Sequence, residues 1–230
     1  SVARVDHRGP DSAGAFAAPG LGLGHARLAL VDLDPRSDQP FRDETGRYAL
    51  VYNGEVYNFR QLRVELQAEG VKFRTSSDTE VVLQLLIRRP PEVALAALNG
   101  MFGLAFIDLA TRRTILARDR FGMKPLYWRH GTFAGGSGLI FGSEIKTFAP
   151  WMTLAPDQGE LLAYLIRFGG ATSGRTLYAG IASLAPGQMT ASPPGAEPSV
   201  PRFAGLPEMI APAEADRLAG LGSAQVIDEF

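Results

Sequence analysis

An asparagine followed by a glycine sets two hydrogen-bond donors side by side, a carboxamide and a main-chain N–H that no side chain shields. Here the pair is Asn53-Gly54, within Tyr52-Asn53-Gly54-Glu55-Val56-Tyr57-Asn58. Two such donors aimed at one point form an oxyanion hole, which stabilises the negative oxygen that develops in acyl transfer. The glycine also lets a substrate approach the main chain closely. A bare Asn-Gly is equally the commonest signal for a tight hairpin turn, so its company must decide. Three further polar positions stand out: Arg27 after an apolar run, Asp78 at a candidate helix start and Asp119 after a candidate strand. Singly, each has a structural reading, the arginine as a surface ion-pair residue and Asp78 as a cap. Together they match a free amino acid with a side-chain amide: a guanidinium for the α-carboxylate, a carboxylate for the α-ammonium and an oxyanion hole for the amide carbonyl.

Other chemistries find less support. His7, His25 and His130 lie far apart without metal-ligand spacing,. Gly22-Leu23-Gly24 lacks the third glycine of a dinucleotide fingerprint, and no Gly-Lys-Ser/Thr phosphate loop occurs,. Gly136-Ser137-Gly138 does not fit a nucleophile elbow, and Asp119-Arg120-Phe121-Gly122 echoes a kinase motif without its companions,. There is no cysteine, hence no disulfide or thiolate metal site, which favours the cytoplasm,. Twenty-three basic against 24 acidic residues leave a net charge of −1, which argues against a nucleic-acid or polybasic membrane surface,. No apolar run approaches the roughly 18 residues of a membrane span. The first residues do not read as a signal peptide. The length of 230 residues suits one domain and a tail,.

The elements that must position these residues follow from periodicity and turn chemistry. The run Tyr48-Ala49-Leu50-Val51-Tyr52 predicts a strand that breaks at Asn53-Gly54,. Residues 7–14 read as a turn, 21–31 as a buried strand with close backbone neighbours and 34–40 as a loop. Residues 59–69, with Leu62, Val64 and Leu66 among charges and Gly70 at the end, predict a surface helix,. Ser77 and Glu80 fit a capping box opening a helix whose buried face is Val81, Val82, Leu85 and Leu86, stopped by Pro90-Pro91,. A shorter helix follows at 92–98, then strands at 101–108 and 114–117, short strands at 125–128 and 139–141, and a helix at 159–168. From Ser192 the chain turns Pro-rich and flexible, with a further helix expected at 212–221,. The pattern predicts a layered α/β fold with largely antiparallel strands.

Seven motifs then stand in order: His7-Arg8-Gly9-Pro10-Asp11, Gly24-His25-Ala26-Arg27-Leu28, Asn53-Gly54-Glu55-Val56-Tyr57-Asn58, Ser77-Asp78-Thr79-Glu80-Val81, Gly100-Met101-Phe102, the run from Ala117 through Arg118-Asp119-Arg120-Phe121-Gly122 to Tyr127, and Ser143-Glu144-Ile145-Lys146. Over residues 7–190 the chain resembles the glutaminase domain of the glutamine-hydrolysing asparagine synthetase family, a class II glutamine amidotransferase. The resemblance implies an α/β (α+β) N-terminal-nucleophile hydrolase fold, a four-layer sandwich with two largely antiparallel sheets between helical layers. It implies a glutaminase domain over 1–191 and a linker over 192–230 leading to an ATP-dependent synthetase domain. That domain would use ATP and Mg2+, whereas the glutaminase domain needs no cofactor or metal. Arg27 would hold the glutamine carboxylate, with the main chain of Leu28, Leu30 and Val31 lining the pocket. Asn53 and Gly54 would stabilise the oxyanion, while Glu55 and Asp78 would take the α-ammonium. The partners implied are glutamine and the C-terminal synthetase domain, with a homodimer left open.

In that family the nucleophile is a cysteine at the mature N-terminus. Its thiolate attacks the carboxamide, ammonia leaves, and water hydrolyses the thioester, with the free α-amine as base. This sequence departs from the pattern, since it has no cysteine and begins where the family already has a strand and a helix. The expectation is a domain cut at both ends that binds glutamine weakly and hydrolyses none. A pseudo-glutaminase binding module, or a sibling class II enzyme with another amide acceptor, are the alternatives.

Overall fold

The computed structural model describes residues 2–28, 32, 34–133, 136–167, 169, 174–192, 197–205, 216, 217 and 219–221. An antiparallel ribbon comes first, β1 (Ser12–Ala18) paired with β2 (Leu21–Arg27). Next are β3 (Phe41–Arg42), β4 (Tyr48–Val56), and three helices, α1 (Phe59–Ala68), α2 (Asp78–Arg88) and α3 (Pro91–Ala97). After them come β5 (Gly100–Asp108), β6 (Thr114–Arg118), β7 (Tyr127–Phe133), β8 (Gly136–Gly142), α4 (Gln158–Ile166), β9 (Ala182–Ser183) and β10 (Met189–Ser192). The main sheet has the order β10-β6-β5-β4-β3, and β8-β7-β9 form a smaller one. Every pairing within these sheets is antiparallel, as expected.

Alternation along β4 puts Leu50, Tyr52 and Val56 on one face and Ala49 and Val51 on the other,. The first face packs under α1–α3, where Leu62, Leu66, Val81, Val82, Leu85 and Leu86 close the larger core. Each such side chain, fully buried, contributes about 1.5–3 kcal/mol. The second face receives Leu23 of the ribbon, Leu126 and Leu184, with Trp128, Leu139 and Phe141 of β7 and β8 against them. One helical layer thus covers the main sheet, and the second strand layer is divided between the ribbon and β8-β7-β9. α4 buries only Glu160, which ion-pairs with Arg175 at 3.0 Å, and leaves Leu162, Leu165 and Ile166 exposed.

Several local expectations change. β4 does not break at Asn53-Gly54, because Asn53 pairs with Gly103 and Gly54 with Phe102 in an unbroken ladder. The glycine serves this close approach: a Cβ on Gly54 would lie 2.1 Å from the Met101 carbonyl oxygen. Residues 12–14, expected as turn, open β1 through pairing with Arg27, Ala26 and His25. β2 is a half-exposed ribbon strand rather than a buried one, with only Leu23 in the core. The capping box is half formed. Ser77 caps α2 through the Thr79 N–H at 3.0 Å, but Glu80 turns back to the Thr75 N–H at 2.8 Å and the Thr75 hydroxyl at 2.7 Å. Half of the helix expected at 212–221 falls outside the described residues. Ahead of it, the chain at 197–205 runs back along the domain, where Ala191 and Ser199 exchange main-chain bonds and Phe203 stacks on Phe102.

Candidate functional site

Three separate segments converge on Tyr52, the residue before Asn53. Gln39 donates from Nε2 to the Tyr52 carbonyl at 2.9 Å and accepts the Tyr52 N–H at 2.6 Å. Its side chain thereby extends the β3–β4 ladder one step beyond the main-chain pairing of Phe41 with Leu50. From β2, His25 Nε2 lies 3.1 Å from the same carbonyl. A carbonyl only accepts, so the ring carries its proton on Nε2. Burial lowers the His25 pKa to about 4, with the Tyr52 hydrogen bond opposing, so the ring is neutral near pH 7. Its Nδ1 is buried without a partner among the described residues.

The third segment is the start of α2. Asp78, its first residue, is 4% exposed, and its charge lies where a helix N-terminus favours an anion,. Oδ2 accepts from the Tyr52 hydroxyl at 2.9 Å and from the Val56 N–H at 3.0 Å. Burial, then the Asp78 charge, push the Tyr52 pKa well above its ordinary value, so the hydroxyl stays a donor. Asp78 is therefore bonded directly to the strand that carries Asn53, Gly54 and Glu55.

Asn53 itself reaches the Ser143 hydroxyl only at 3.4 Å, a weak contact,. Arg27 is largely buried and already engaged: it pairs with Asp38 at 2.6 Å and donates to the main-chain carbonyls of Asp32 and Asp34. The guanidinium fork has donors to spare for a second carboxylate beside Asp38. Leu28 is exposed, whereas Leu30 and Val31 lie outside the described residues. Glu55 is half-buried on β4.

Two motifs distant in sequence meet at Glu144, which contacts His7 at 2.9 Å, Arg8 at 3.2 Å and Lys146 at 3.0 Å. Burial opposes the Glu144 charge, but the hydrogen bonds from Lys146, Arg8 and His7 outweigh it and lower its pKa. Asp119, by contrast, is committed to structure. Its carboxylate is fully buried and accepts the main-chain N–H groups of Phe102, Phe121, Met123 and Lys124 at 3.0–3.2 Å. Of the two carboxylates singled out in the sequence, Asp119 is thus taken up by main-chain donors, whereas Asp78 keeps one oxygen without a hydrogen bond among the described residues.

Three participants escaped the sequence reading. Asp32 accepts from Ser37, Ser76 and the Asp34 N–H, tying loop 32–38 to the approach of α2. Despite some opposing desolvation, those donors lower its pKa to about 2. Gln39 and Tyr52 carry no local signal, because a glutamine in a loop and a tyrosine in a strand are ordinary. Among the described residues no group of three or more His, Asp or Glu could hold a metal, and no helix is long and apolar enough to cross a membrane.

The profile of the family described as "Glutamine amidotransferase domain" matches residues 1–199. The chain belongs to that family. The amidotransferase domain is 36% identical over 192 residues to asparagine synthetase (glutamine-hydrolyzing) 1 of Bacillus subtilis, covering 83% of this chain and 29% of that protein. It is 37% identical over 147 residues to asparagine synthetase B (glutamine-hydrolyzing) of Escherichia coli, covering 63% of this chain and 25% of that one. Amidase chry2 of Gibberella zeae is 36% identical over 150 residues, covering 64% of this chain and 22% of its own. The chain thus spans about a quarter of the length of these relatives. Among solved structures, the glutamine phosphoribosylpyrophosphate amidotransferase of B. subtilis superposes with a TM-score of 0.56 at 24% identity, covering 80% of this chain and 35% of that one. That likeness shows the N-terminal-nucleophile hydrolase fold. The chain is a class II glutamine amidotransferase domain of the asparagine-synthetase-like kind, as its motifs implied.

Proposed function

We propose that this domain binds free glutamine, with Asp78 and the Glu55 main chain on the α-ammonium, Arg27 on the α-carboxylate, and Asn53 with the Gly54 N–H at the amide carbonyl. The main chain of Leu28, Leu30 and Val31 completes the pocket. One observation carries the reading: Asp78 is bonded to Tyr52 and Val56, which flank Asn53-Gly54-Glu55. The ammonium and oxyanion ends of one small ligand therefore sit on adjoining residues. Arg27 supports it through its strand, since His25, two residues earlier, touches Tyr52.

In the protein that uses this domain, glutamine is hydrolysed to glutamate and ammonia, and the ammonia amidates a carboxylate activated by ATP with Mg2+. That reaction belongs to a synthetase region reached through residues 192–230. The acceptor we assign is aspartate, on the relatives named asparagine synthetases, while the relative named an amidase keeps another acceptor as the alternative. No side chain among the 230 residues is a thiol. The thioester step therefore has no nucleophile within them, since an oxyanion hole stabilises an adduct but does not form one. On this reading the chain by itself binds glutamine without hydrolysing it.

Titrating the chain with glutamine by NMR, alongside an ammonia-release assay, tests this. The expected result is weak saturable binding, lost in Asp78→Ala, with no ammonia. Absence of binding, or binding indifferent to Asp78→Ala, removes the assignment of the site. Ammonia release removes the non-hydrolytic part.

A further inference from the structure

Tyr52 joins the two ends of the candidate site, and the role assigned to it rests on the proposal that the site takes glutamine. Its main chain is clamped by Gln39 and His25 immediately before Asn53. Its hydroxyl ends on Asp78, 26 residues along the chain. At 3% exposure the tyrosine has almost no water with which to exchange that bond. Burial and the neighbouring negative charge keep the hydroxyl protonated, so the proton runs from tyrosine to carboxylate.

A carboxylate held by one donor still turns about its terminal torsion, which is broad and soft. Here the Tyr52 hydroxyl and the Val56 N–H both bind Oδ2. That leaves Oδ1 with no hydrogen bond among the described residues, on a carboxylate whose plane two donors have set. We propose that Tyr52 is a positioning residue for substrate selection: its hydroxyl orients Asp78 so that Oδ1 accepts from the ammonium of an α-amino acid amide. The site then distinguishes glutamine from an otherwise equal amide that lacks the α-amino group.

The test pairs one substitution with one ligand change. Glutamine and 4-carbamoylbutanoate, which is glutamine with hydrogen in place of the α-amino group, are each titrated by NMR into the wild-type chain and Tyr52→Phe. Tyr52→Phe is expected to bind glutamine about tenfold more weakly, the scale of one hydrogen bond to a charged group. Its affinity for 4-carbamoylbutanoate should stay within about twofold of wild type, because that ligand does not use Asp78. An equal loss for both ligands would mean general damage to the pocket and overturns the inference, as does an unchanged affinity for glutamine. A wild-type chain that does not bind glutamine overturns the glutamine reading and this inference with it. A wild-type chain that binds while Tyr52→Phe is indifferent overturns the inference alone. If Tyr52→Phe does not fold, the slowly exchanging hydroxyl proton of Tyr52 in the wild-type chain reports instead. A shift on adding glutamine but not 4-carbamoylbutanoate supports the positioning role, and equal shifts or none overturn it.

Discussion

Mild acid should weaken the fold through His25, by an amount that its surroundings allow to be worked out. The ring is neutral in the folded chain, with a pKa of about 4 against an ordinary 6.5, mainly because it is buried. Between those values the unfolded chain takes up a proton that the folded chain refuses. Stability is therefore complete above pH 6.5 and falls as pH drops toward 4, at up to about 1.4 kcal/mol per pH unit. From pH 7 to pH 5 the loss is about 2 kcal/mol, rising to about 3 kcal/mol near pH 4. The depressed carboxylates of Asp32, Glu144 and Asp157 also favour the folded state at neutral pH, but their contribution is lost mostly below pH 5. Urea unfolding at half-unit steps from pH 7.5 to 5 measures the slope. The comparison is His25→Gln, whose amide keeps a donor toward the Tyr52 carbonyl without titrating. The wild type should lose about 2 kcal/mol more than His25→Gln over that range. Equal slopes for the two proteins would refute both the burial argument and the assigned neutral ring.

Two further substitutions separate framework from site. Gly54→Ala places a methyl group 2.1 Å from the Met101 carbonyl oxygen and 2.7 Å from Phe102 Cα. Overpacking against main chain in a central sheet costs about 3 kcal/mol or more, so the thermal midpoint should fall by roughly 6–12 °C, and an unchanged midpoint counts against the unbroken strand. Asp119→Asn sets an amide against main-chain donors that now share two carboxylate oxygens. Urea unfolding should show a loss of about 3 kcal/mol, while glutamine affinity of the folded protein stays unchanged. A variant of normal stability but lost binding would return Asp119 to the site.

The sequence alone determined the family, through seven short motifs in order, because a motif is a set of residue types at fixed spacing and needs no folded chain to be seen. It also determined most elements. Their periods and stop signals are local, as with α1, closed by Gly70 at φ +88°, and α2, opened by Ser77. Local rules failed where a distant neighbour overrides them. Asn53-Gly54 has the composition of a turn, yet β5 pairs across it, and the missing Cβ serves contact between strands. Glu80 looks like half of a capping box, yet finds better donors at Thr75. Asp119 looks available for a ligand, but four main-chain amides consume it.

Only the tertiary structure decided how the site is held. The bonds that converge on Tyr52 come from residues 13, 26 and 27 positions away, and each requires a different segment to have docked first. Hydrogen bonds of that reach depend on chain closure and on burial that excludes competing water. Neither is written in the residue types around Tyr52, which locally read as nothing more than a strand.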